Sequence, residues 1–445
     1  MRPTRPLLFA SFLFASTTIS FGQAILAPTL LTAPDQLNEG GFLNSVGNYV
    51  SFIASNYGLA HGQVWRTDGT VAGTQKLTDY QRAVQYQMGT SSTTFYFTTL
   101  IQFNNQPQYF QHDPVTNRHN TVPYPGSRDD MGYGIALGNE LVFPSSTGGL
   151  YITNGSAAPK LILDMTLAVA SKCVWGQKLY FGAMPRGTES NIELYVTDGT
   201  PNGSKLLKDI WPGANSGHPK NLTVINNKLY FTAESQVAGV RELWVSDGTT
   251  AGTKFVAKLG KTEVSGPMIG LKPGSPKFYF VTNVGGSPLD VSETSKCVVW
   301  ESDGTAAGTR QLTFTTPLKG FVQLLPIIDA EVRFFANDVA NVRSIYKARP
   351  GNTASAPWSA TVAFTATPGQ YTYPMVAVNG KVFYTVGDKM WAINSTSCAQ
   401  VRPTETQASW TFDSYSTPGS WVVHMDWLYF IANYKGGGKE LYKVR

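Results

Sequence analysis

The chain contains few charged residues and few cysteines. Asp, Glu, Lys and Arg make up 14% of its 445 residues, against about 25% in an average globular domain. Because Lys and Arg are scattered and the formal net charge is only +6, we expect no nucleic-acid partner. The 3 cysteines, Cys173, Cys297 and Cys398, lie far apart in the sequence. They are too few for a disulfide framework, and we expect them to be buried as small apolar residues.

Long apolar runs and helical periodicity are also missing beyond the N-terminus. No later stretch approaches the roughly 18 apolar residues of a membrane-spanning helix, so we predict no transmembrane segment. At the N-terminus, Arg2 and Arg5 precede an apolar run from Leu7 to Ala15 that is too short to cross a membrane. Small residues precede Gln23, so residues 1–22 are predicted to be a secretory signal peptide cleaved between Gly22 and Gln23. Residues 23–445 would then be exported as one repeat domain, secreted or held at the cell surface.

The motifs of common enzyme and metal sites are absent from the sequence. It has no Gly-x-Ser-x-Gly, His-Glu-x-x-His, Walker or EF-hand pattern. The glycines 132, 134 and 138 resemble a dinucleotide loop only superficially, because their spacing is wrong. The histidines are dispersed: His61, His112, His119, His218 and His424.

Only two of these histidines are near neighbours. His112 and His119 could form a metal or acid–base site with Asp113, but a polar loop is the favoured interpretation. The sequence therefore predicts no catalytic residue, no metal site and no cofactor.

Four segments of the chain share one pattern. Each has an apolar and aromatic strand, an Asp-Gly-Thr turn, a second Gly-Thr or Gly-Ser, and another strand. They read QVWRTDGTVAGTQKL from Gln63, ELYVTDGTPNGSKLL from Glu193, ELWVSDGTTAGTKFV from Glu242 and VVWESDGTAAGTRQL from Val298. A repeat array of this kind usually offers a surface rather than one chemical site.

A second mark, a strand of the form Leu-Tyr-Phe, precedes each segment and recurs along the whole chain. Its last aromatic residue defines nine units spaced roughly 40 to 50 residues apart, namely Phe52, Phe97, Phe143, Phe181, Phe231, Phe280, Phe334, Tyr384 and Phe430. A further aromatic residue follows in each unit at the place of the Trp in Glu-Leu-Trp, namely Trp65, Phe110, Tyr151, Tyr195, Trp244, Trp300, Tyr346, Trp391 and Tyr442. The chain is therefore one repeat family from end to end.

The turns predict what each unit looks like. Pairs such as Asn226-Asn227 and Asn379-Gly380 stand between apolar runs, and such residues tolerate the positive φ of tight β-hairpins. The strands are rich in Tyr, Phe, Val and Thr. Each unit is predicted to be an antiparallel sheet of four strands.

The acidic turns carry Asp68, Asp198, Asp247 and Asp303. We predict a structural role, in which the carboxylate accepts hydrogen bonds from amides two residues further on. Calcium binding is the alternative, but calcium takes six to eight oxygen ligands and each turn offers a single carboxylate.

Sheets buried on both faces need little charge, and a single closed β-propeller satisfies this demand by radial repetition. We predict nine four-stranded blades, with eight as the alternative if the short third unit merges with a neighbour. The last unit ends at its Glu-Leu-Tyr strand and lacks an outer strand, whereas residues 24–31 form an apolar strand without a blade. Pairing of these N- and C-terminal strands is predicted to close the ring.

The quoted segments ELYVTDGTPNGSKLLKDI and ELWVSDGTTAGTKFVAKL resemble the ELWxxDGT repeat, also called hyalin-like, of secreted Bacteroidetes proteins. The resemblance is close in four units and carries over no catalytic residues. It implies a secreted or cell-surface repeat protein.

Two functional classes remain open from the sequence. One is a non-catalytic, monomeric binding or adhesion scaffold that engages an unknown glycan or protein through one propeller face. The other is an extracellular hydrolase or lyase acting on polysaccharide at the central channel. An enzyme of that kind needs carboxylates that converge within several Å, and the scattered His and low acidity favour the scaffold.

Overall fold

The structure is a computed structural model with an all-β fold. It describes residues 24–26, 28–32, 37–56, 62–78, 84–90, 93–100, 107–122, 134–145, 148–188, 190–270, 274–284, 296–312, 319–325, 332–337, 343–349, 359–365, 375–386, 389–394, 398–401, 410–411, 421–434 and 439–445. Over these ranges the chain forms strands and no helix. The predicted signal peptide and its cleavage site between Gly22 and Gln23 lie outside the described residues, as does His61.

The strands of the first half follow the predicted units. Two short strands precede unit 1, β1 (Ala24–Leu26) and β2 (Thr29–Leu30). Unit 1 contains β3 (Leu37–Val46), β4 (Tyr49–Asn56), β5 (Gln63–Thr67) and β6 (Gln75–Lys76). Unit 2 contains β7 (Val84–Thr90), β8 (Phe95–Leu100), β9 (Pro107–Asp113) and β10 (Arg118–Val122). Unit 3 contains β11 (Ile135–Leu137), β12 (Glu140–Pro144), β13 (Leu150–Thr153) and β14 (Lys160–Leu163). Unit 4 contains β15 (Met165–Trp175), β16 (Lys178–Pro185), β17 (Glu193–Thr197) and β18 (Lys205–Lys208).

The second half continues the same pattern. Unit 5 contains β19 (Lys220–Ile225), β20 (Lys228–Ala233), β21 (Arg241–Ser246) and β22 (Lys254–Gly260). Unit 6 contains β23 (Glu263–Gly270), β24 (Phe278–Val284), β25 (Lys296–Ser302) and β26 (Arg310–Gln311). Unit 7 contains β27 (Lys319–Leu324), β28 (Val332–Asn337), β29 (Arg343–Arg349) and β30 (Ser359–Thr365). Unit 8 contains β31 (Met375–Val378), β32 (Lys381–Val386), β33 (Lys389–Ile393) and β34 (Cys398–Val401). Unit 9 contains β36 (Trp421–His424), β37 (Trp427–Tyr434) and β38 (Lys439–Val444), and β35 (Trp410–Thr411) pairs with β37.

Neighbouring strands pair in chain order within each unit. The first strands of successive units contact one another, as β15 does with β19 and β19 with β23. This places the first strands around the axis and the fourth strands at the rim. The arrangement is a β-propeller, as the sequence predicts.

Over the described residues the blades number eight, so the prediction of nine is one too many and the alternative count is the one observed. Seven sheets have four or five strands each, and an eighth sheet has nine strands. Unit 3 does not merge with a neighbour. Instead, units 1 and 9 share the nine-stranded sheet because Leu37 of β3 pairs with Lys439 of β38. The two halves of this sheet also pack on each other through Phe52, Trp65 and Tyr429.

The N-terminal strand closes the ring in the predicted manner. Thr29 and Leu30 of β2 pair antiparallel with Lys443 and Tyr442 of β38. The Leu31 amide donates to the Leu441 carbonyl at 2.8 Å. One detail was not foreseen from the sequence: β1 pairs in parallel with β34 and adds a fifth strand to unit 8.

The two aromatic marks of the repeat are direct neighbours in every sheet. Phe231 is the register partner of Trp244, and the equivalent pairs occur in all nine units. Most of these pairs stack, as Phe280 and Trp300 do with ring centroids 5.9 Å apart. The core consists of clusters between successive units, such as Tyr180, Leu194 and Phe231 between units 4 and 5. The repeat motif therefore builds a stack of aromatic sheets.

Candidate functional site

The two ends of the blades differ. At one end lie the first hairpin of each unit and the Asp-Gly-Thr turns at 68–74, 198–204, 247–253 and 303–309, which together we call the turn face. At the other end lie the connections between second and third strands and between successive units, such as residues 186–192, 209–219 and 234–240. We call this end the loop face.

The Asp-Gly-Thr turns are nearly identical hydrogen-bonded loops. In unit 6, Asp303 Oδ1 accepts from the Thr305 amide at 2.9 Å and from the Thr305 hydroxyl at 2.7 Å. The Thr305 hydroxyl in turn accepts from the Gly308 amide at 3.0 Å. Asp68, Asp198 and Asp247 accept the same two hydrogen bonds from the amide and the hydroxyl of the equivalent Thr.

The glycines of each turn are fixed by close contacts. A Cβ added at Gly308 would overlap the Asp303 carboxylate. Gly304, at φ +85°, lies against the Tyr230 hydroxyl of the preceding unit. The turn therefore leaves no room for a side chain at either position.

Hydrogen bonds from the Thr hydroxyls stabilise the charged form of the Asp carboxylates in these turns. The hydroxyl bond from Thr305 is the main cause that lowers the pKa of Asp303 below its usual 3.8. The equivalent Thr bond lowers the pKa of Asp68, Asp198 and Asp247. All four carboxylates are therefore charged at neutral pH.

Unit 3 contains a turn of the same geometry, although its sequence lacks the Asp-Gly-Thr motif. Asn154 Oδ1 accepts from the Ser156 amide at 3.0 Å and from the Ser156 hydroxyl at 2.7 Å. The signal in the sequence is Thr153-Asn154-Gly155-Ser156, a conservative variant of Thr-Asp-Gly-Thr. The motif therefore extends further around the ring than the strict pattern indicates.

The predicted neighbours His112 and His119 are register partners on β9 and β10. His112 is buried, and Asp113 accepts from the Val115 amide and the Thr116 hydroxyl at 2.8 and 2.7 Å. The His119 side chain lies outside the described residues. Asp113 is thus engaged in a turn of its own.

Of the remaining candidates, His424 is buried and its Nδ1 is 2.8 Å from the Ser45 hydroxyl, across units 9 and 1. Burial lowers its pKa. Cys173 is a free, half-buried thiol whose pKa is raised by burial. The side chains of Cys297 and Cys398 lie outside the described residues.

The loop face varies from unit to unit. Units 3 and 4 are joined through Asp164 alone, between Leu163 and Met165, whereas units 4 and 5 are joined by the long segment from Lys208 to Lys220. We call residues 209–218 of this segment the unit 4–5 loop. Loops that vary on a constant scaffold are where binding residues are concentrated.

A buried carboxylate anchors the unit 4–5 loop at both ends. Glu193 is 2% exposed. Its Oε2 accepts from the Ile210 amide at 2.6 Å, and its Oε1 accepts from the Gly217 amide at 2.8 Å and the Trp211 amide at 3.4 Å. Burial raises the pKa of Glu193 to about 7, although these hydrogen bonds lower it.

Further bonds join the loop to the connections on either side. The Ser216 hydroxyl accepts from the amides of Asn191 and Ile192 at 2.8 and 2.9 Å. Arg241, buried beneath the loop, donates to the His218 carbonyl at 2.9 Å and lies 3.1 Å from Glu263. The loop is thus a fixed part of the scaffold.

Non-glycine residues with positive φ occur at this loop and beside it. Asn191, His218 and Asn221 have φ of 75°, 45° and 56°. Positive φ is uncommon for non-glycine residues, although Asn and His adopt it more often than most. Such residues cost roughly 1–3 kcal/mol each and cluster at ligand clamps and switch regions. Burial also lowers the pKa of His218 and keeps its imidazole neutral at pH 7.

This loop is not predicted by the sequence pattern. Glu193 is the first residue of a repeat motif, so it was assigned to a strand with no further role, and His218 was grouped with dispersed histidines. The available signal was the connection after unit 4, which contains Trp211, Gly213 and Gly217.

Within the described ranges, no three His, Cys, Asp or Glu side chains lie close enough together to hold a metal ion. The same ranges contain no helix that could span a lipid bilayer.

No family model matches the chain, and no curated protein does. BamB from Moraxella catarrhalis is similar over 91% of this chain and 98% of its own, with 10% identity and a TM-score of 0.41. An oligogalacturonate lyase in complex with manganese is similar over 94% of this chain and 92% of its own, with 12% identity and a TM-score of 0.38. A prolyl endopeptidase is similar over 81% of this chain but 55% of its own length, with 11% identity and a TM-score of 0.39. These similarities identify neither a family nor an activity.

Proposed function

We propose that this protein is a secreted, non-catalytic scaffold that binds a glycan or a protein through its loop face. The observation that carries the proposal is the difference between the two faces. The turn face repeats one hydrogen-bonded turn in units 1, 3, 4, 5 and 6, whereas the loop face differs between units in length and in sequence. A constant face serves the fold, and a variable face on a rigid scaffold serves recognition.

The buried carboxylates of units 4 and 6 support a non-catalytic role. Glu193 is occupied by three backbone amides. Glu301 accepts from the Tyr279 hydroxyl at 2.8 Å and forms ion pairs with Lys277 and Arg310 at 3.1 and 3.0 Å. Both carboxyl groups are engaged by structural partners, as expected for groups that hold the fold together.

The resemblance to ELWxxDGT repeats and the N-terminal signal pattern support secretion from a bacterium of the Bacteroidetes type. Mass spectrometry of the protein recovered from culture medium tests this. We expect the mature chain to begin at Gln23. An intact N-terminus at Met1, with the protein retained in the cytoplasm, would contradict it.

Binding through the loop face is tested with two matched substitutions in unit 4. Asn215→Arg changes an exposed residue of the loop face, and Asn202→Arg changes an exposed residue of the turn face. The mature protein is screened on a glycan array and in a pull-down with surface proteins. We expect Asn215→Arg to weaken the captured interaction and Asn202→Arg to leave it unchanged. The reverse result would assign binding to the turn face and contradict the proposal.

A further inference from the structure

The unit 4–5 loop and the two connections beside it form one surface on the loop face. Exposed residues from three segments meet there, because Ser216 binds the 186–192 connection and the Glu234 amide donates to the Gly217 carbonyl at 2.7 Å. The exposed or half-exposed side chains include Ser190, Trp211, Asn215 and Gln236. We call these four residues the Trp211 surface.

The chemistry of the Trp211 surface is neutral. Its residues offer one hydroxyl, two carboxamides and one indole, and none of them carries a charge. The nearby cation Arg186 is paired with Asp164 at 3.0 Å. Asp209, the first residue of the loop, is exposed. An anionic ligand at this surface would be repelled by the exposed Asp209 carboxylate, whereas a neutral ligand would not be.

Trp211 is the feature that points to a ligand. Its side chain is half-exposed, and among the described residues its ring has no aromatic partner. In contrast, Trp65, Trp244 and Trp300 are buried in the sheets. Trp carries a large apolar ring with one hydrogen-bond donor, which suits contacts that are apolar on one side and wet on the other.

The backbone beneath Trp211 is already ordered. The Glu193 carboxylate accepts hydrogen bonds from the amides of residues 210, 211 and 217. Positive φ angles occur at Asn191, beside the loop, and at His218, its last residue. A ligand that binds a preorganised loop loses less affinity to the ordering of that loop. Residues with sparsely populated backbone angles cluster at ligand-binding sites in other proteins, which agrees with a binding role for this loop.

We propose that the Trp211 surface binds neutral carbohydrate, with the apolar face of a sugar ring on the indole and sugar hydroxyls on Ser190, Asn215 and Gln236. An aromatic side chain on the same surface as a few neutral polar groups suits a site that uses shape and hydrogen bonds rather than charge. This inference rests on the proposed binding function and names its ligand class and its residues.

Affinity electrophoresis of the mature protein tests the proposal. Native gels contain either a neutral polysaccharide (a mixed-linkage β-glucan, a xyloglucan or a galactomannan) or an anionic one (alginate or polygalacturonate). We expect at least one neutral polymer to retard the protein and the anionic polymers to have no effect. Trp211→Ala should weaken the retardation at least about tenfold in dissociation constant, equivalent to about 1.4 kcal/mol. Trp211→Tyr should restore part of it.

Phe255→Ala is the matched control, because Phe255 is an exposed aromatic residue on the rim of unit 5 and lies outside the loop face. It should bind like the unchanged protein. Thermal melting of each variant verifies that the fold is kept. Equal losses in both variants, retardation by anionic polymers alone, or no retardation by any neutral polymer would each overturn the proposal.

The outcomes separate this inference from the proposed function. If Asn215→Arg disrupts capture of a protein ligand while no neutral polysaccharide binds, the loop face remains the binding face and the carbohydrate assignment is wrong. If turn-face substitutions alone disrupt binding, the proposed function fails as well.

Discussion

At the scale of single residues, the Asp-Gly-Thr turn depends on the Asp303 carboxylate and on the lack of a side chain at Gly308. The Asp303 carboxylate occupies the space that a Cβ of Gly308 would take. Gly308 is not required for a left-handed φ, since no positive φ is found there. The glycine is therefore needed only because the carboxylate lies over it.

A double-mutant cycle tests this dependence. Asp303→Ala should lower the free energy of unfolding by roughly 0.5–2 kcal/mol, as the loss of a side-chain cap does elsewhere. Gly308→Ala alone should cost at least as much, because it displaces the carboxylate. In the Asp303→Ala background the same change should be neutral or stabilising by up to about 1 kcal/mol, since alanine restricts the unfolded chain. Chemical denaturation measures all four proteins, and additive effects would contradict the shared contact.

Glu193 supplies a pH-dependent contribution to stability. Its pKa rises from the usual 4.5 to about 7 on folding because it is buried, and the charge of Asp209 adds to this effect. Between pH 4.5 and 7 the folded state therefore binds a proton that the unfolded state has lost, so stability from this group is greatest at low pH and declines as pH rises.

This decline is measurable against a variant that cannot titrate. From about pH 4.5 to 7 the unfolding free energy of the unchanged protein should fall relative to that of Glu193→Gln by up to about 3 kcal/mol, at 1.36 kcal/mol for each unit of pKa shift. Denaturation curves at half-unit pH steps give the difference directly. Parallel pH profiles for the two proteins would mean that Glu193 titrates normally in the fold.

At the scale of elements, the two marks of the repeat meet across the boundary between units. Tyr180 lies against Gly248, Tyr230 against Gly304 and Tyr429 against Gly69, so the second strand of one unit contacts the turn of the next. Burial raises the pKa of Tyr180, Tyr230 and Tyr429, and the charge of the Asp in the facing turn raises it further. The last of these contacts joins unit 9 to unit 1 in the same way as the others join interior units.

Comparison of two alanine substitutions isolates this contact. Gly304 and Gly274 have φ of +85° and +79°, but a Cβ at Gly274 would meet open space. Both substitutions incur the left-handed strain of about 1–2 kcal/mol. Only Gly304→Ala also overlaps Tyr230, and it should cost a further 1–3 kcal/mol or so by overpacking. Equal shifts of the denaturation midpoint would show that the contact between units is not tight.

The sequence predicted the elements well where the pattern is local. Phe231 and Trp244 are each flanked by strand-forming residues, and their pairing follows from the hairpin turn beside them. The unit 4–5 loop was missed because the role of Glu193 depends on a chain segment that folds back from Ile210 and Gly217. The periodicity of the repeat does not predict where a loop folds back onto a strand. The number of blades was also misjudged, because the shared sheet depends on one pairing, Leu37 with Lys439, at the two ends of the chain.

At the scale of the whole molecule, residues 28–32 hold the first and last units together. Leu31 is 1% exposed and packs with Phe52 and Leu441. The Thr32 hydroxyl accepts from the Leu441 amide at 3.1 Å. Residues 24–26 extend this role by pairing with unit 8.

Deletion of residues 24–33 from the mature protein should lower the melting temperature sharply or abolish soluble expression. Burial of Leu31 alone contributes roughly 1.5–3 kcal/mol before entropy is counted, and the deletion also exposes an edge of β38. Leu31→Ala is the milder companion, because it removes one side chain and keeps the pairing. A truncated protein that melts with the full-length mature chain would contradict closure by these strands.

The shared nine-stranded sheet also has a consequence for the order in which the molecule folds. Leu441 and Thr32 bond across a separation of 409 residues, whereas strands within a unit are joined by short hairpins. A tenfold increase in the length of a closed loop raises the entropic cost of closure by about 2 kcal/mol. Strand pairings between residues distant in sequence also form slowly. Interior blades should therefore form early on local contacts, and the sheet of units 1 and 9 should form last. Until then, β3 and β38 present unpaired edges, so this step is the one at which a slow or crowded refolding reaction loses protein to aggregation.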